Sequence, residues 1–413
     1  MIMEMNSSTQ QSHSRVANMR RPLRVALLTN ENTPYRVPLY RELAATRNWD
    51  FRVFTCVDRE FDRLWDVTDT NGFITKKSYS FSYMRRQLVD AHNKIVMPRQ
   101  VHLPVGIIPD MLKFRPDVVL SNEFGARTLL ASLTAKLLGH RLIVYSESTP
   151  HTEVHSNRKQ LAVRRLLSKR PDAYICNGKQ SRYFLENLGV ESQDIFEVGQ
   201  ALDLESFDHP YAAVDREELR QQMKITGVCY LFVGHLTKHK GTIQLLEAWR
   251  AFCESTPVDA TLLMAGEGEE RSRLEGIIAE GKLKNVKILG FVQRKELAKI
   301  YSAADVFVFP TLKDCFSLAF EEAMAAGLPV IGSPYGGESE LVIEGENGWV
   351  ADPLKQDELV AKLRLAYDAR PELPEMGQRA RQDVSRMGIE KVAARIRCVV
   401  DHTLEILKKR SLR

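Results

Sequence analysis

Short apolar runs rich in β-forming residues alternate with longer helical segments along this 413-residue chain. Apolar strands that are separated by helices are typical of parallel sheets covered by helices on both faces. The alternation therefore predicts an α/β protein. The strand candidates in the first half are residues 25–28, 51–55, 117–121, 142–145 and 173–176, and those in the second half are residues 229–233, 261–264, 286–289, 306–309 and 329–331.

Ten strands are more than a single sheet usually contains. The alternation of strands and helices begins again after a polar stretch near residues 203–211. We predict two doubly wound, Rossmann-like domains, residues 21–205 and 206–387, that face each other across a cleft lined by strand carboxyl ends. The polar residues 1–20 predict a disordered tail. Residues 388–413 predict a helix that could pack back on the first domain.

The net charge of +5 is a mild excess. It fits an anionic substrate or an anionic membrane surface and is too weak to argue for nucleic acid. The six cysteines are widely spaced and predict free thiols in a reducing compartment. The N-terminal stretch lacks the apolar core of a secretion signal, and no apolar run approaches the roughly 18 residues of a membrane span. We therefore expect a cytoplasmic protein.

The segment 304–331 has the most specific chemistry in the chain. A strand candidate is followed by a loop and by a short helix that begins near Ser317. The N–H groups at a helix start beside a strand end attract phosphate. Two carboxylates eight residues apart, Asp314 and Glu322, bracket this start, and carboxylates can hold sugar hydroxyls. The pattern predicts a site for a nucleotide-sugar.

A second glycine-rich turn, residues 234–242, follows the first strand of the predicted second domain. Gly234 lets the backbone turn sharply and approach a ligand closely. Lys240 stands just before a helix, where its ammonium group can neutralise a diphosphate. Alone, the segment also fits an ordinary loop with solvated lysines. Together with the segment that contains Asp314 and Glu322, it favours a diphosphate site.

These motifs resemble those of the retaining glycosyltransferases of the GT-B architecture, family 4. The family's G-R-L-x-x-x-K-G stretch corresponds to residues 234–241, and its E-x7-E stretch corresponds to Asp314 through Glu322. Its smaller glycine turns correspond to residues 266–268, 290–292 and 336–348. The match covers essentially the whole second domain, and the first domain matches more loosely through residues 32–37.

The resemblance implies that a hexose moves from a nucleoside diphosphate sugar to a hydroxyl of a glycan or lipid-linked acceptor, with retention of anomeric configuration. It implies a role in bacterial surface polysaccharide or glycolipid synthesis. In this family the leaving phosphate itself is thought to accept the proton of the acceptor. No cofactor and no metal are expected, because Lys240 and the helix start can stabilise the charge on the leaving diphosphate.

By this resemblance, Lys240 binds the donor diphosphate, Glu322 binds the ribose hydroxyls, and Asp314 binds hydroxyls of the donor sugar. Backbone N–H groups of residues 316–318 bind the distal phosphate. Glu321 is expected to be a solvated surface acid, because adjacent helical residues point about 100° apart. The other predicted donor-binding residues are Gly234, His235, Gly266, Phe291, Val292, Phe316, Ser317 and Leu318.

Two positions depart from the family pattern. After Gly234 the family has an arginine, whereas this chain has His235, which lacks the two-pronged group that suits phosphate. Lys238 or Arg36 could substitute, or donor binding is weaker. Asp314 replaces the family's first glutamate and is one methylene shorter, which predicts a changed donor-sugar preference more than a loss of activity.

The acceptor is expected on the first domain, in the loops that follow its strands. The candidate residues there are Asn32, Tyr35, Arg36, Glu123 and Glu147. Glu147 is predicted to be catalytic, with Lys240 and Asp314. A salt bridge from Glu147 to a neighbouring basic residue is the alternative.

A basic, amphipathic segment at residues 157–170 predicts a helix that docks on the anionic inner face of the plasma membrane, where a lipid-linked acceptor resides. Arg85 and Arg86 add positive charge to the same half. The alternative is a solvated helix face with an apolar inner stripe.

Three other functions remain open. A nucleotide-sugar epimerase or a sugar synthase on the same scaffold would share the donor site. A dinucleotide-dependent oxidoreductase needs G-x-G-x-x-G, and residues 266–271 lack its third glycine. A non-catalytic nucleotide-sugar binder is supported by His235 alone.

Overall fold

The structure, a computed structural model, describes residues 21–61, 69–90, 95–153, 158–208, 216–255 and 257–411. It divides into two compact units: the first takes in the chain as far as Ala201 and again from Ile389, and the second is Leu202–Gly388. The predicted tail, residues 1–20, lies outside the described residues.

All ten predicted strands are confirmed, with ends that differ by no more than two residues. The structure adds β3, β4, β5, β9 and β15, which the sequence analysis missed. The strands are β1 (Leu23–Thr29), β2 (Trp49–Thr55), β3 (Ile74–Lys77), β4 (Phe81–Asp90), β5 (Ile95–Leu103), β6 (Val118–Asn122), β7 (Arg141–Ser146), β8 (Ala173–Cys176), β9 (Ile195–Glu197), β10 (Val228–Val233), β11 (Ala260–Ala265), β12 (Val286–Gly290), β13 (Val306–Val308), β14 (Val330–Gly332) and β15 (Gly348–Val350).

Helices occupy most of the segments between the strands. They are α1 (Val37–Ala44), α2 (Ile107–Phe114), α3 (Ala126–Leu138), α4 (Pro150–Glu153), α5 (Arg158–Leu167), α6 (Lys179–Asn187), α7 (Glu205–Asp208), α8 (Arg216–Gln222), α9 (Thr242–Ser255), α10 (Arg271–Glu280), α11 (Arg294–Ala303), α12 (Leu318–Ala325), α13 (Gln356–Asp368), α14 (Leu373–Val384) and α15 (Ile389–Ser411). Short 3-10 turns lie at Ser192–Asp194, Lys238–Lys240, Gly337–Leu341 and Ser385–Met387.

The first unit contains a seven-stranded parallel sheet in the order β3-β2-β1-β6-β7-β8-β9. Successive residues of a strand point to opposite faces, so each face has its own core. Val25 faces a cluster completed by α1 and by Val392 and Ile396 of α15. Ala26 faces a second cluster completed by α2, α3 and α6. Separately, β4 and β5 pair as an antiparallel hairpin.

The second unit contains a six-stranded parallel sheet in the order β12-β11-β10-β13-β14-β15. One large apolar cluster fills both of its faces. Trp249 of α9 and Phe320 of α12 are completely buried in it. Because the cluster surrounds α12, residues Phe320–Ala325 are buried on every side of that helix.

Both sheets have a point where the order of strands reverses. In the second sheet β10 lies beside β13, and in the first sheet β1 lies beside β6. The loops that follow the two strands at such a point leave toward opposite sides and open a crevice at the carboxyl edge, where α/β proteins bind ligands. The loops after β10 and β13 contain Lys240 and Asp314. The loops after β1 and β6 contain Arg36 and Glu123.

Candidate functional site

Lys240 and Asp314 meet across the reversal point of the second sheet. Lys240 Nζ lies 2.5 Å from Asp314 Oδ2, and each side chain is 16% exposed. Lys240 Nζ also lies 5.0 Å from the ring centroid of Phe309, which follows β13. The two predicted catalytic residues of this unit are thus brought together by the neighbouring ends of β10 and β13.

Two glycines allow the loops at this edge to approach each other. Gly241, after Lys240, has φ of +67°, and a Cβ atom there would lie 1.8 Å from the carbonyl oxygen of Pro310. Gly266, after β11, has φ of +153°, and a Cβ atom there would lie 1.8 Å from the carbonyl oxygen of Gly234. Any side chain at either position would push the loops apart.

The start of α12 lies beside the Lys240–Asp314 pair. Ser317 is the residue that caps the helix, as predicted, and it has extended backbone geometry. The backbone N–H of Cys315 donates to Asp314 Oδ1 at 2.8 Å. The predicted phosphate-binding residues 316–318 therefore follow Cys315, whose N–H contacts the carboxylate of the ion pair. Phe316 and Ser317 are buried, and Leu318 packs against the core of the unit.

The N–H of Ser317 donates to Glu338 Oε2 at 3.2 Å. Glu338 lies in the 3-10 turn after β14, and its side chain is completely buried. Burial and the nearby carboxylate of Asp314 raise the pKa of Glu338 to about 8, although the backbone N–H of Glu338 itself, Lys240 and the Ser317 N–H oppose this rise. In the sequence Glu338 belongs to a glycine motif, and no role was predicted for it.

Glu322, the predicted ribose ligand, is 4% exposed. Its Oε1 lies 2.9 Å from Arg294 Nη1 of α11, and its Oε2 accepts a hydrogen bond of 3.3 Å from the hydroxyl of Tyr301. Burial raises the pKa of Glu322, and the positive charge of Arg294 opposes the rise. Arg294 and Tyr301 were missed, because nothing in the sequence places α11 beside α12.

The expectation that Glu321 is a solvated surface acid is wrong. Its side chain is 0% exposed. The prediction assumed that α12 has a solvent-facing side, whereas every residue from Phe320 to Ala325 is buried.

The other predicted donor-binding residues lie along the same carboxyl edge. His235 follows Gly234 and is exposed. The N–H of Gly266 donates to the carbonyl of Gly290 at 2.8 Å, so the ends of β11 and β12 are close. Phe291, the next residue, is 42% exposed, and Val292 packs against the core.

His239, next to Lys240, forms a hydrogen bond of 3.1 Å between its Nδ1 and the hydroxyl of Thr237. Burial lowers the pKa of His239 to about 4, and the positive charge of Lys240 acts in the same direction. The imidazole is therefore neutral near pH 7.

All five predicted acceptor residues lie in loops that follow strands of the first sheet, and four of them form one group. Arg36, before α1, forms an ion pair with Glu147, after β7. This is the salt bridge that the sequence left as the alternative for Glu147. The guanidinium of Arg36 lies 5.8 Å from the ring centroids of both Tyr35 and Tyr145. The fifth residue, Asn32, donates instead to the hydroxyl of Thr75 on β3 at 3.0 Å.

Glu123 joins this group from the loop after β6. Its carboxylate accepts hydrogen bonds from the N–H of Glu147 at 2.6 Å and from the hydroxyl of Ser148 at 3.1 Å. Burial, followed by the charge of Glu147, raises the pKa of Glu123. Its φ of +63° lies in the left-handed region, which a residue with a side chain rarely adopts. Such backbone strain is concentrated at functional sites.

A small cavity of about 30 Å³ lies beside this group and is lined mainly by apolar side chains, among them Leu39, Leu120 and Ile175. Arg36 and Tyr145 contribute its polar wall. The edge of the first sheet thus combines an ion pair, a second buried carboxyl group and an apolar hollow.

Within the described residues, no three or more His, Cys, Asp or Glu side chains form a group that could hold a metal ion. No described helix combines the length and the apolar composition of a bilayer span.

Residues 215–383 match the sequence profile of the family described as glycosyl transferases group 1. An uncharacterized glycosyltransferase of Methanocaldococcus jannaschii is 41% identical over 122 residues, which are 29% of this chain and 31% of the relative. An amylovoran biosynthesis glycosyltransferase of Erwinia amylovora is 32% identical over 167 residues, 38% of this chain and 40% of the relative. The chain thus spans less than half of the length of either relative.

The crystal structure of HepE from Anabaena in complex with UDP is similar to this structure, with a TM-score of 0.74. The similarity covers 92% of this chain and 100% of that chain, at 17% sequence identity. It confirms the predicted fold class, two Rossmann-like parallel-sheet domains of the GT-B architecture.

Proposed function

We propose that the protein, whose residues 215–383 match the sequence profile of the glycosyl transferases group 1 family, is a retaining hexosyltransferase. It moves a hexose from a nucleoside diphosphate sugar to a hydroxyl of a glycan or lipid-linked acceptor, in bacterial surface polysaccharide synthesis. The observation that carries the proposal is the pair Lys240–Asp314 at the reversal point of the second sheet, beside the first amides of α12. Two similar proteins support it: HepE, whose crystal structure contains UDP, and a glycosyltransferase of amylovoran biosynthesis.

In this proposal the donor diphosphate lies at the reversal point of the second sheet. The ammonium of Lys240 and the N–H groups at the start of α12 bind its oxygens, which places a positive charge and a helix dipole on the leaving group. Asp314 binds hydroxyls of the hexose while it keeps Lys240 in position. Glu322 binds the ribose hydroxyls, and Arg294 and Tyr301 hold its carboxylate in place.

The reaction forms a bond between the acceptor oxygen and the anomeric carbon of the hexose, and it breaks the bond from that carbon to the diphosphate oxygen. The proton of the acceptor hydroxyl passes to the leaving phosphate. Negative charge grows on the diphosphate as the bond breaks, and Lys240 and the helix start are already aimed at that charge, so stabilising it needs no reorganisation. The mechanism that we propose uses no metal ion.

The acceptor binds to the first unit in this proposal. Glu147, oriented by Arg36 and by its own N–H bond to Glu123, contacts the acceptor hydroxyl. The apolar cavity beside Arg36 receives a nonpolar part of the acceptor.

We extend the proposal to an anionic membrane surface, at which a lipid-linked acceptor is reached. Helix α5 contains four Lys and Arg and no acid, and it exposes Val163 and Leu166. Helix α3 exposes Leu129, Leu133 and Leu137, by 40%, 47% and 69%. Residues four apart lie on one ridge of a helix, so these leucines form an apolar stripe. Basic charge on α5 and exposed apolar side chains on both helices fit the interface of an anionic bilayer.

Vesicle binding tests this membrane contact. The wild-type protein is expected to sediment with phosphatidylglycerol vesicles and not with phosphatidylcholine vesicles. Leu133→Ser with Leu137→Ser should reduce the bound fraction, whereas Leu365→Ser, an equally exposed leucine of the second unit, should not. Equal binding of both variants would contradict the assignment of the surface.

The donor is tested with UDP, GDP and ADP sugars in a thermal-shift panel on the wild-type protein and on Lys240→Ala. One base should stabilise the wild type, and the substitution should abolish the shift. A protein that no nucleotide-sugar stabilises would contradict the proposal. Incubation of the stabilising donor without acceptor then separates a transferase, which leaves it nearly unchanged, from an epimerase, which converts it.

A further inference from the structure

Glu338 has a carboxylate that the structure does not fully satisfy. Its side chain is 0% exposed, and Oε2 accepts from the N–H of Ser317 at 3.2 Å. Among the described residues, no hydrogen-bond donor reaches Oε1. A buried carboxylate oxygen without a partner is unfavourable, and such atoms are rare in folded proteins. The unsatisfied oxygen therefore calls for a physical explanation.

The backbone around Glu338 is shaped to hold this carboxylate at the helix start. A Cβ atom on Gly336 would lie 2.1 Å from Glu338 Oε1, and a Cβ atom on Gly337 would lie 2.2 Å from the carbonyl oxygen of Cys315. Gly337 is thus needed for the turn to pass under the loop before α12, and Gly336 leaves the space that the Glu338 carboxylate occupies.

If Glu338 is ionised, the start of α12 has more negative than positive charge around it. Asp314 and Lys240, from the loops after β13 and β10, are the charged groups that act on it most strongly, and Lys240 is already paired with Asp314. Two carboxylates then share one ammonium. A donor diphosphate would add further negative charge at the same amide, and like charges this close disfavour the ionised form of a carboxyl group.

We propose that Glu338 is a further donor-site residue, which occupies the Ser317 amide in the empty site and yields it to the donor phosphate when its carboxyl group takes up a proton. The inference rests on the proposed function, since it assumes that the phosphate binds at the start of α12. The protonated carboxyl group has a hydrogen to donate, so it can turn to a phosphate oxygen instead of repelling it. Donor binding is thereby coupled to the uptake of one proton from solvent.

The pKa of Glu338, raised to about 8 by burial and by Asp314, places both forms within reach of neutral pH. Donor affinity should therefore fall as the pH rises. Below pH 8 the carboxyl group is mostly neutral, and the Ser317 amide is available to the donor phosphate. Above pH 8 the carboxyl group is mostly ionised and competes with the phosphate for that amide. The apparent dissociation constant equals the intrinsic constant divided by the fraction of the competent form. Between pH 7 and pH 9 that fraction falls about tenfold.

Titration calorimetry with UDP-glucose, GDP-mannose and ADP-glucose tests the inference, because the diphosphate of a nucleotide-sugar does not itself titrate over this range. For whichever sugar binds, the wild-type dissociation constant should rise about tenfold from pH 7 to pH 9. Repeating the pH 9 titration in buffers of different ionisation enthalpy should show uptake of close to one proton.

Glu338→Gln keeps the size of the side chain and an acceptor for the Ser317 amide, and it removes the titration. This variant should bind the sugar with nearly the same affinity at both pH values and without proton uptake. The control Glu346→Gln, an exposed acid that follows the same turn, should behave as the wild type.

The outcomes separate the inference from the function on which it rests. A wild-type protein that binds a nucleotide-sugar equally well at pH 7 and pH 9, without proton uptake, overturns the role of Glu338 and leaves the donor site standing. The same holds if Glu338→Gln retains the full pH dependence. A wild-type protein that binds none of the three sugars at either pH overturns both. The wild-type proton count decides the matter even if Glu338→Gln does not fold.

Discussion

The side chains of Lys240 and Asp314 form a 2.5 Å ion pair although 74 residues separate them in the sequence. Each is largely shielded from water, so neither charge is well solvated without the other. The pair fixes the position of the ammonium group before any ligand arrives. It also means that substitution of one partner changes the charge and the position of the other.

Lys240→Ala is expected to lower turnover by about 100-fold or more, because the leaving diphosphate loses its only proposed side-chain cation. Steady-state transfer from the nucleotide-sugar measures the loss, and circular dichroism measures whether the fold is kept. Lys284→Ala removes an exposed lysine of the same unit, outside the proposed donor site, and serves as the control. Wild-type turnover in Lys240→Ala would refute the phosphate role.

Glu322→Gln is expected to weaken binding of the nucleoside diphosphate about tenfold, because a charged hydrogen-bond acceptor for the ribose is lost. Calorimetry with the ribose and the 2′,3′-dideoxyribose forms of the nucleotide measures the effect. The wild type should discriminate between the two forms and the variant should not. Discrimination that survives in Glu322→Gln would count against a ribose contact.

Glu147→Gln is expected to reduce turnover by about 100-fold, as for a group that orients the acceptor hydroxyl for attack. The dissociation constant of the donor should stay unchanged, because every proposed donor contact lies in the second unit. Glu197→Gln, which removes an exposed ion-paired acid of the same unit, is the control. A weaker donor affinity in Glu147→Gln, with turnover intact, would reverse the assignment.

His239 should make the protein less stable as the pH falls from about 6.5 toward about 4. Its pKa is lowered from 6.5 to about 4 in the folded protein, so the unfolded chain binds more protons in that window and gains free energy from them. The difference is on the order of 3 kcal/mol. Thermal unfolding at several pH values should show a steeper loss for the wild type than for His239→Gln. Parallel curves would exclude His239 as the source.

Transfer activity should persist after treatment with EDTA and dialysis, because the proposed mechanism places an ammonium group and helix amides where other enzymes place a divalent cation. The measurement is turnover before and after chelation, with Mg²⁺ and Mn²⁺ added back separately. Activity that disappears with EDTA and returns with either ion would require a different account of the leaving group.

The parallel strands and the two sheets could be predicted from the sequence because most of the predicted strands are apolar runs that are buried on both faces. The additional strands lacked that signal. Ile74–Lys77 at the sheet edge is mostly exposed, and β9 and β15 have three residues each. The β4–β5 hairpin stands outside both parallel sheets.

Part of the candidate site could likewise be predicted from the sequence, and part of it could not. Lys240, Asp314 and Ser317 could be predicted to approach one another because glycines, strand ends and a helix start are local signals. Contacts between distant segments were not foreseen, namely Arg294 with Glu322 and Glu338 with Ser317, because they depend on how helices and turns pack after folding. The error at Glu321 has the same origin, since a sequence does not state how many sides of a helix are covered.

The chain leaves the first unit after Ala201 and returns to it at Ile389. A ribosome that makes this protein therefore delivers the whole second unit before it delivers Val392, Ala393 and Ile396, which complete one apolar cluster of the first sheet. The part that is synthesised first finishes folding last. Until α15 is made, the apolar face of the first sheet that it will cover stays partly exposed, and a chaperone could bind there.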